Sequence, residues 1–336
     1  MDLVHGVMVS TRAEQAYALW YVGPGQAEIR PEPAKTPQAG EVRVRALHGA
    51  LSRGTERLVF LGRVPASEHE RMRAPFMAGA FPFPVKYGYI NIGRVESGPS
   101  DLMGRVVLAL HPHQDVFAIP AEAVMPVPDR VPPHRAVLAA NMETALNALW
   151  DGGAGPADRI AVVGAGVVGA LVARLCVGLP ASEVTLIDID PTRAYIARAL
   201  GCDFAMPEEA PEDCDVVFHA SASLAGLATA LRIAGLEATV AEMSWYGADE
   251  VTVPLGGPFH SRRLRLISSQ VGLVAASHRP RWDHRRRLAA ALDLLADPAL
   301  DVLIAPAIRF RDLPTRLPEI LAPAGGVLCQ LIEYGE

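Results

Sequence analysis

Gly164, Gly166 and Gly169 stand in the spacing Gly-x-Gly-x-x-Gly, directly after the apolar run Ile160-Ala-Val-Val163. Glycines so placed suit a phosphate-bearing ligand. The first permits a tight turn out of a strand, the second lets backbone approach a pyrophosphate, and the third lets a helix pack closely on the sheet. Val167, Val168, Leu171, Val172 and Leu175 follow at helical spacing. The turn therefore opens into a helix whose first N–H groups, at Val167 and Val168, meet the phosphates with the positive end of the helix dipole. Asp188 ends the next apolar run, 19 positions after Gly169. A carboxylate there accepts hydrogen bonds from both adenosine ribose hydroxyls and repels a 2′-phosphate. This predicts NAD(H) as the preferred cofactor, with NADP(H) disfavoured. Arg193 works slightly against that preference, and Asp190 is a rival for the ribose role.

Other reactive residues give weaker patterns. His111 and His113 would share one face of a strand, as metal ligands do, but Pro112 intervenes and no third donor accompanies them. Cys176, Cys202, Cys214 and Cys329 are scattered without a Cys-x-x-Cys pair, so neither a zinc knuckle nor a disulfide framework is expected. His260-Ser-Arg-Arg263 reads as a solvated loop. The run Arg281-Trp-Asp-His-Arg-Arg-Arg287 reads as the exposed first face of a helix, with an acidic ligand or partner as the alternative.

The elements that must position these residues fall into two patterns. Up to about residue 125, short strand-like runs (Ala16–Val22, Glu41–Leu47, Ile92–Glu96, Arg105–Leu110, Val116–Ile119) alternate with Pro/Gly turns. A short helix is expected at Thr55–Leu61, and residues 62–86 form a Pro- and Met-containing loop suited to lining a cleft. From Ala136, helices and strands alternate as far as Leu264–Gln270, which implies a doubly wound parallel sheet. Gly201 should cap the second crossover helix. A helix at Trp282–Leu295 and further strands ending at Val327–Tyr334 complete the chain.

Composition bounds the class. The 336 residues are 50% hydrophobic and 20% charged, enough for a large core divided into two domains. A net charge of −6 gives no reason to expect nucleic acid or an anionic membrane as partner. No apolar run reaches membrane-spanning length and no basic-then-apolar leader opens the chain, so the cytoplasm is the expected location.

Several segments carry a resemblance. Gly40–Val44, Gly49–Thr55, Tyr87–Glu96 and Ala140–Thr144 are similar to the active-site segments of the medium-chain dehydrogenase/reductase superfamily, the zinc-type alcohol dehydrogenase fold. The likeness spans essentially the whole chain. It implies an α/β protein with a β-rich, GroES-like catalytic domain at 1–135 and 273–336, and a Rossmann dinucleotide-binding domain at 136–272. Ser52, Tyr89 and Ala140 occupy the places of the three catalytic zinc ligands, and the four-cysteine structural lobe is missing. No zinc is therefore expected. Ser52-Arg-Gly-Thr-Glu56 and Gly62-Arg-Val-Pro65 further resemble the branch that holds bacteriochlorophyllide dehydrogenases.

The resemblance gives roles by position. Without zinc, a side chain must handle the substrate oxygen. Tyr89 becomes the expected proton donor, Ser52 and Thr55 its hydrogen-bond relay, and Lys86 a group that lowers its pKa or holds substrate. The alternative is that Tyr89 is a packed aromatic. Glu143 and Asn141 are further candidates for substrate contact. Ala220 and Ser221 should pass the adenosine side of the cofactor, with Ser244 and Ser269 near the nicotinamide. The strand at Leu264–Val271 resembles a dimer-forming edge, so a homodimer is expected. The implied activity is hydride transfer between NAD(H) and a secondary alcohol or ketone. A quinone or enoyl reductase, or a silent NAD-binding protein, are the alternatives.

Overall fold

The structure, a computed structural model, describes residues 14–322 and 326–335. Residues 1–13, where the absence of a leader was read, lie outside this range. Six strands form a parallel sheet in the order Asp203–Ala205, Glu183–Ile187, Arg159–Val163, Cys214–His219, Ala234–Glu242, Arg265–Ser268. Its central strand is buried on both faces, with Ile160, Ala161 and Val162 fully enclosed. That explains why it reads as a continuous apolar run rather than an alternating one. The chain winds outward from Arg159–Val163 in one direction and then in the other. The crevice at the carboxyl ends of Arg159–Val163 and Cys214–His219 is thus a topological switch point, where open α/β sheets bind ligands. Gly201 ends the helix Ala194–Leu200 at φ 81°, a left-handed conformation that favours glycine.

The β-rich half holds two sheets. One contains seven strands, including the long Glu41–Leu51, which pairs antiparallel with Asn91–Ser97, Val116–Pro120 and Cys329–Glu333. The other has four, ordered Gln26–Pro33, Gln15–Gly23, Val85–Lys86, Ala78–Gly79. Residues 62–86 are consequently not a free cleft-lining loop. They supply two short strands, and Val64, Met77 and Phe81 are buried beside Val59, Phe60 and Tyr87.

The return of the chain also differs from expectation. The helix His284–Leu294 and the turn Pro298–Leu303 pack with the parallel sheet: Ala291, Leu292, Leu295, Leu300 and Leu303 share a core with Ile160, Leu171 and Leu200. The chain rejoins the strand Glu41–Leu51 only through Ile304–Arg309 and Cys329–Glu333, well past 273. Arg287 is part of the reason. Rather than lying on an exposed face it is buried, donating to Glu143 Oε1 at 3.0 Å, Asn147 Oδ1 at 2.5 Å and the Val271 carbonyl at 2.5 Å. A buried guanidinium needs such partners, and they fix this helix against Ala139–Gly152. Glu143 is thereby committed to Arg287 rather than to a substrate.

Candidate active site

The glycine-rich turn has three distinct geometries. Gly164 has φ 110°, and a Cβ there would lie 2.7 Å from the Ser221 nitrogen. At Gly169 a Cβ would lie 2.0 Å from the Gly164 carbonyl oxygen, so the helix Val167–Val177 rests directly on the turn. At Gly166 a Cβ would meet nothing within 4 Å, leaving space above the backbone. No side chain caps the helix start, so the first N–H groups remain for an anion.

Asp188 Oδ2 accepts the Ala165 N–H at 2.7 Å and Oδ1 accepts the Asp190 N–H at 2.9 Å. The carboxylate is thus held at the rim of the turn, with lone pairs to spare for hydroxyl donors. Asp190, the rival, accepts from the Thr192 N–H at 3.0 Å and pairs with Arg193 at 3.3 Å. Arg193 also donates to the Gly326 carbonyl at 3.0 Å, so it is already engaged on both sides. An open cradle at Gly166, an uncapped helix start and a tethered carboxylate fit a dinucleotide.

The other expected cofactor contacts lie at neighbouring strand ends. Ala220 donates to the Val163 carbonyl at 2.8 Å, and Ser221 abuts Gly164. Ser244 Oγ accepts the Ala222 N–H at 3.0 Å, joining the two loops. Ser269 turns its hydroxyl away, donating to Asp151 Oδ2 at 2.8 Å, and its N–H donates to the Glu242 carbonyl at 2.9 Å, so neither donor is free for a cofactor.

Beneath these loops lies a network the sequence did not reveal. His219 is fully buried, with Nδ1 2.6 Å from Glu242 Oε2 and Nε2 2.7 Å from Ser221 Oγ. His219 and Glu242 stand opposite each other in adjacent parallel strands. The available signal was a histidine and a glutamate, each ending an apolar strand run, but which strands adjoin is not written locally.

In the β-rich half, Tyr89 follows the short strand Val85–Lys86. Ser52 occupies the position before the helix Arg53–Phe60, and Thr55 lies in its first turn. Burial pushes the Tyr89 phenol up to about 12, opposed by the neighbouring Ser52 and Thr55 hydroxyls. The structure thus brings together three of the four residues expected to act on oxygen. Arg53 faces away, donating to the carbonyls of Ile320 at 2.9 Å, Ala322 at 2.8 Å and Val327 at 2.5 Å. Below the same helix start, Glu56 is buried. It accepts from Ser52 N at 2.8 Å and Tyr21 OH at 2.7 Å, with His113 Nε2 at 2.9 Å.

Lys86 is the exception. Its ammonium donates to Glu32 Oε2 at 2.8 Å and Gln114 Oε1 at 3.0 Å. It is committed there, and the phenol it was expected to acidify is instead shifted upward by burial. The two histidines also separate. His111 stacks on Phe117 with ring centroids 3.8 Å apart, while His113 meets Glu56.

Zinc does not fit the donor set. The expected positions hold two hydroxyls and a methyl group, and among the described residues no three His, Cys, Asp or Glu side chains converge. The cofactor loop meets this site from the other half. A Cβ on Gly247 would lie 2.8 Å from both the Arg63 carbonyl and Leu58, and Trp245 packs against the core of Val59 and Phe60.

Known proteins share this architecture. L-idonate 5-dehydrogenase of Escherichia coli superposes with a TM-score of 0.78 at 14% identity, covering 96% of this chain and 99% of that one. A proposed zinc-binding dehydrogenase of Sinorhizobium meliloti bound to NADP gives 0.76 at 17% identity, covering 96% and 100%. An alcohol dehydrogenase of E. coli in complex with NADH gives 0.76 at 17% identity, covering 95% and 99%. In sequence, an uncharacterized zinc-type alcohol dehydrogenase-like protein of Haemophilus influenzae is 24% identical over 221 residues, which is 62% of this chain. The match spans 60% of that relative's length. No family model matches. The chain shares the fold of these dehydrogenases, a β-rich domain joined to a parallel-sheet domain. Among the described residues, no helix is long and apolar enough to cross a membrane.

Proposed function

We propose that this protein is an NAD(H)-dependent, metal-independent oxidoreductase that interconverts a secondary alcohol and a ketone. The observation that carries the reading is the Tyr89–Ser52–Thr55 cluster, in which two hydroxyls, those of Ser52 and Tyr89, stand at positions that the resemblance gives to metal ligands. Bound NADH would supply the hydride to the carbonyl carbon. Tyr89 would give its proton to the carbonyl oxygen, and Ser52 and Thr55 would stabilise the resulting phenolate and return a proton. A phenol at about 12 keeps its proton at neutral pH. A protonated phenol can donate to the carbonyl oxygen in the direction of ketone reduction. Asp188, with Arg193 already paired, favours NADH over NADPH. Homodimers through the edge strand Arg265–Ser268, and a cytoplasmic location, belong to the same reading.

NADH absorbance followed across a panel of ketones tests it, with Tyr89→Phe as the matched control and metal analysis of untreated protein alongside. Turnover abolished by Tyr89→Phe at zinc below stoichiometry supports the reading. One firmly held zinc per chain would defeat the metal-free mechanism.

A further inference from the structure

His219 lies on no route described so far, yet it is buried between two cofactor loops. On one side, Glu242 Oε2 is 2.6 Å from Nδ1 and also accepts the Tyr246 hydroxyl at 3.1 Å. On the other, Ser221 Oγ is 2.7 Å from Nε2 and 3.0 Å from Ser223 Oγ. Burial pushes the Glu242 carboxyl up, but hydrogen bonds and charge from His219, with hydrogen bonds from Ser244, outweigh it and hold the group below its ordinary value. An ionised carboxylate only accepts, so His219 Nδ1 must donate to it. Nε2 is then linked to the Ser221 hydroxyl by a hydrogen bond whose direction follows the protonation of the ring. Gly226 is required here: a Cβ would lie 2.1 Å from Ser221 Oγ and 2.8 Å from His219 Nε2.

The two ends of this chain lie in different places. Ser221 touches the turn at Gly164, where phosphates would sit. Tyr246 lies between Trp245 and Gly247, the residues that pack on the β-rich half. Glu242 also fixes the start of that segment by accepting the Ser244 N–H at 2.7 Å. Four side chains, Ser221, His219, Glu242 and Tyr246, therefore join the phosphate turn to the loop that closes on the oxygen-handling site.

We infer that His219 is a positioning residue that couples the glycine-rich turn to residues 243–247, so that filling the phosphate site orders the loop beside Tyr89's helix partners. This rests on the dinucleotide reading above. ADP separates the two sites, since it carries the adenosine and phosphates but no nicotinamide. Hydrogen exchange of the full chain, with and without ADP, reads the effect directly. In the wild type ADP should slow exchange at 164–169 and also slow 243–247 by about fivefold or more, the lower end of ordinary site-to-site coupling. His219→Gln should keep the first effect and lose the second. Ser221→Ala, which leaves the His219–Glu242 pair intact, should do the same and guards against a folding defect in the histidine variant. Slowing of 243–247 that persists in Ser221→Ala or in a folded His219→Gln overturns the coupling. So does a wild type in which ADP protects only 164–169. If neither ADP nor NADH protects 164–169, the dinucleotide reading itself fails, which is a different result.

Discussion

Alanine at Gly166 and at Gly169 should have opposite consequences, although both replacements add one methyl group to the same turn. At Gly169 the new Cβ would sit 2.0 Å from the Gly164 carbonyl oxygen, whereas real Cβ atoms essentially never come within 3.0 Å of a neighbour. The helix Val167–Val177 must therefore retreat by about 1 Å from a backbone atom that cannot rotate away. Overpacking of that kind costs roughly 1–3 kcal/mol. Gly166 has φ −74° and ψ 179°, accessible to alanine, with nothing near its Cβ. Replacing glycine at a helix start costs a few tenths to about 1 kcal/mol. The lower entropy of the unfolded alanine chain offsets about 0.4–1 kcal/mol. Gly166→Ala should thus unfold at nearly the wild-type urea midpoint yet bind NADH at least about tenfold more weakly, because its methyl fills space meant for pyrophosphate. Gly169→Ala should lose stability first. Urea midpoints and NADH fluorescence titrations measure both quantities. Equal midpoints for the two variants, or undiminished NADH affinity in Gly166→Ala, would refute this account of the turn.

Further outcomes follow from the same geometry. Tyr89→Phe should lower kcat for ketone reduction by roughly 10²–10⁴-fold. The wild-type rate should not fall through deprotonation of Tyr89 as pH rises toward 9, since that phenol is held at about 12; a loss of activity with a midpoint near 9 that vanishes in Tyr89→Phe would contradict it. Asp188→Ala should weaken NADH by about 10- to 100-fold, the worth of a charged hydrogen bond, while NADPH changes little; equal losses in paired titrations would remove Asp188 from the ribose role. Lys86→Met should lower the melting temperature but leave kcat near wild type, because the ammonium serves Glu32 and Gln114; a large fall in kcat would return it to the chemistry. Burial holds His111 down at about 3, against an ordinary value of 6.5. The unfolded chain therefore takes up a proton that the folded chain refuses, and this contribution to stability is lost as pH falls from about 6.5 toward 3. His111→Phe should flatten part of that acid dependence in urea midpoints, and an unchanged slope would count against it.

The parts of the fold legible in the sequence are those encoded by neighbours along the chain. The glycine spacing, the apolar strand before it and Asp188 after it specify a turn whose parts lie within 30 residues. Tyr89, Ser52 and Thr55 were legible through likeness of segments, since no local pattern links positions 37 residues apart. Arg287 was misread because a run of arginines looks the same whether solvated or buried, and its burial depends on Glu143 and Asn147 from a distant helix. His219 and Glu242 were missed for a related reason: their contact depends on strand order and register, which arise only when the sheet assembles. Lys86 had a close sequence neighbour in Tyr89, but strand alternation and acceptors at Glu32 and the buried Gln114 sent it elsewhere.

The pairing of Cys329–Glu333 with Glu41–Leu51 has a temporal consequence. Gln330 stands opposite Leu51, the residue before Ser52, and among the described residues no later strand exists. During synthesis the parallel sheet, whose strands run uninterrupted from Arg159 to Ser268, can form while Leu51 still lacks this neighbour. Arg53 likewise waits for the carbonyls of Ile320, Ala322 and Val327. The strands around the glycine-rich turn are therefore all synthesised before the last neighbours of the hydroxyl cluster, and under the proposed function a nascent chain should acquire nucleotide binding before it acquires a competent proton donor.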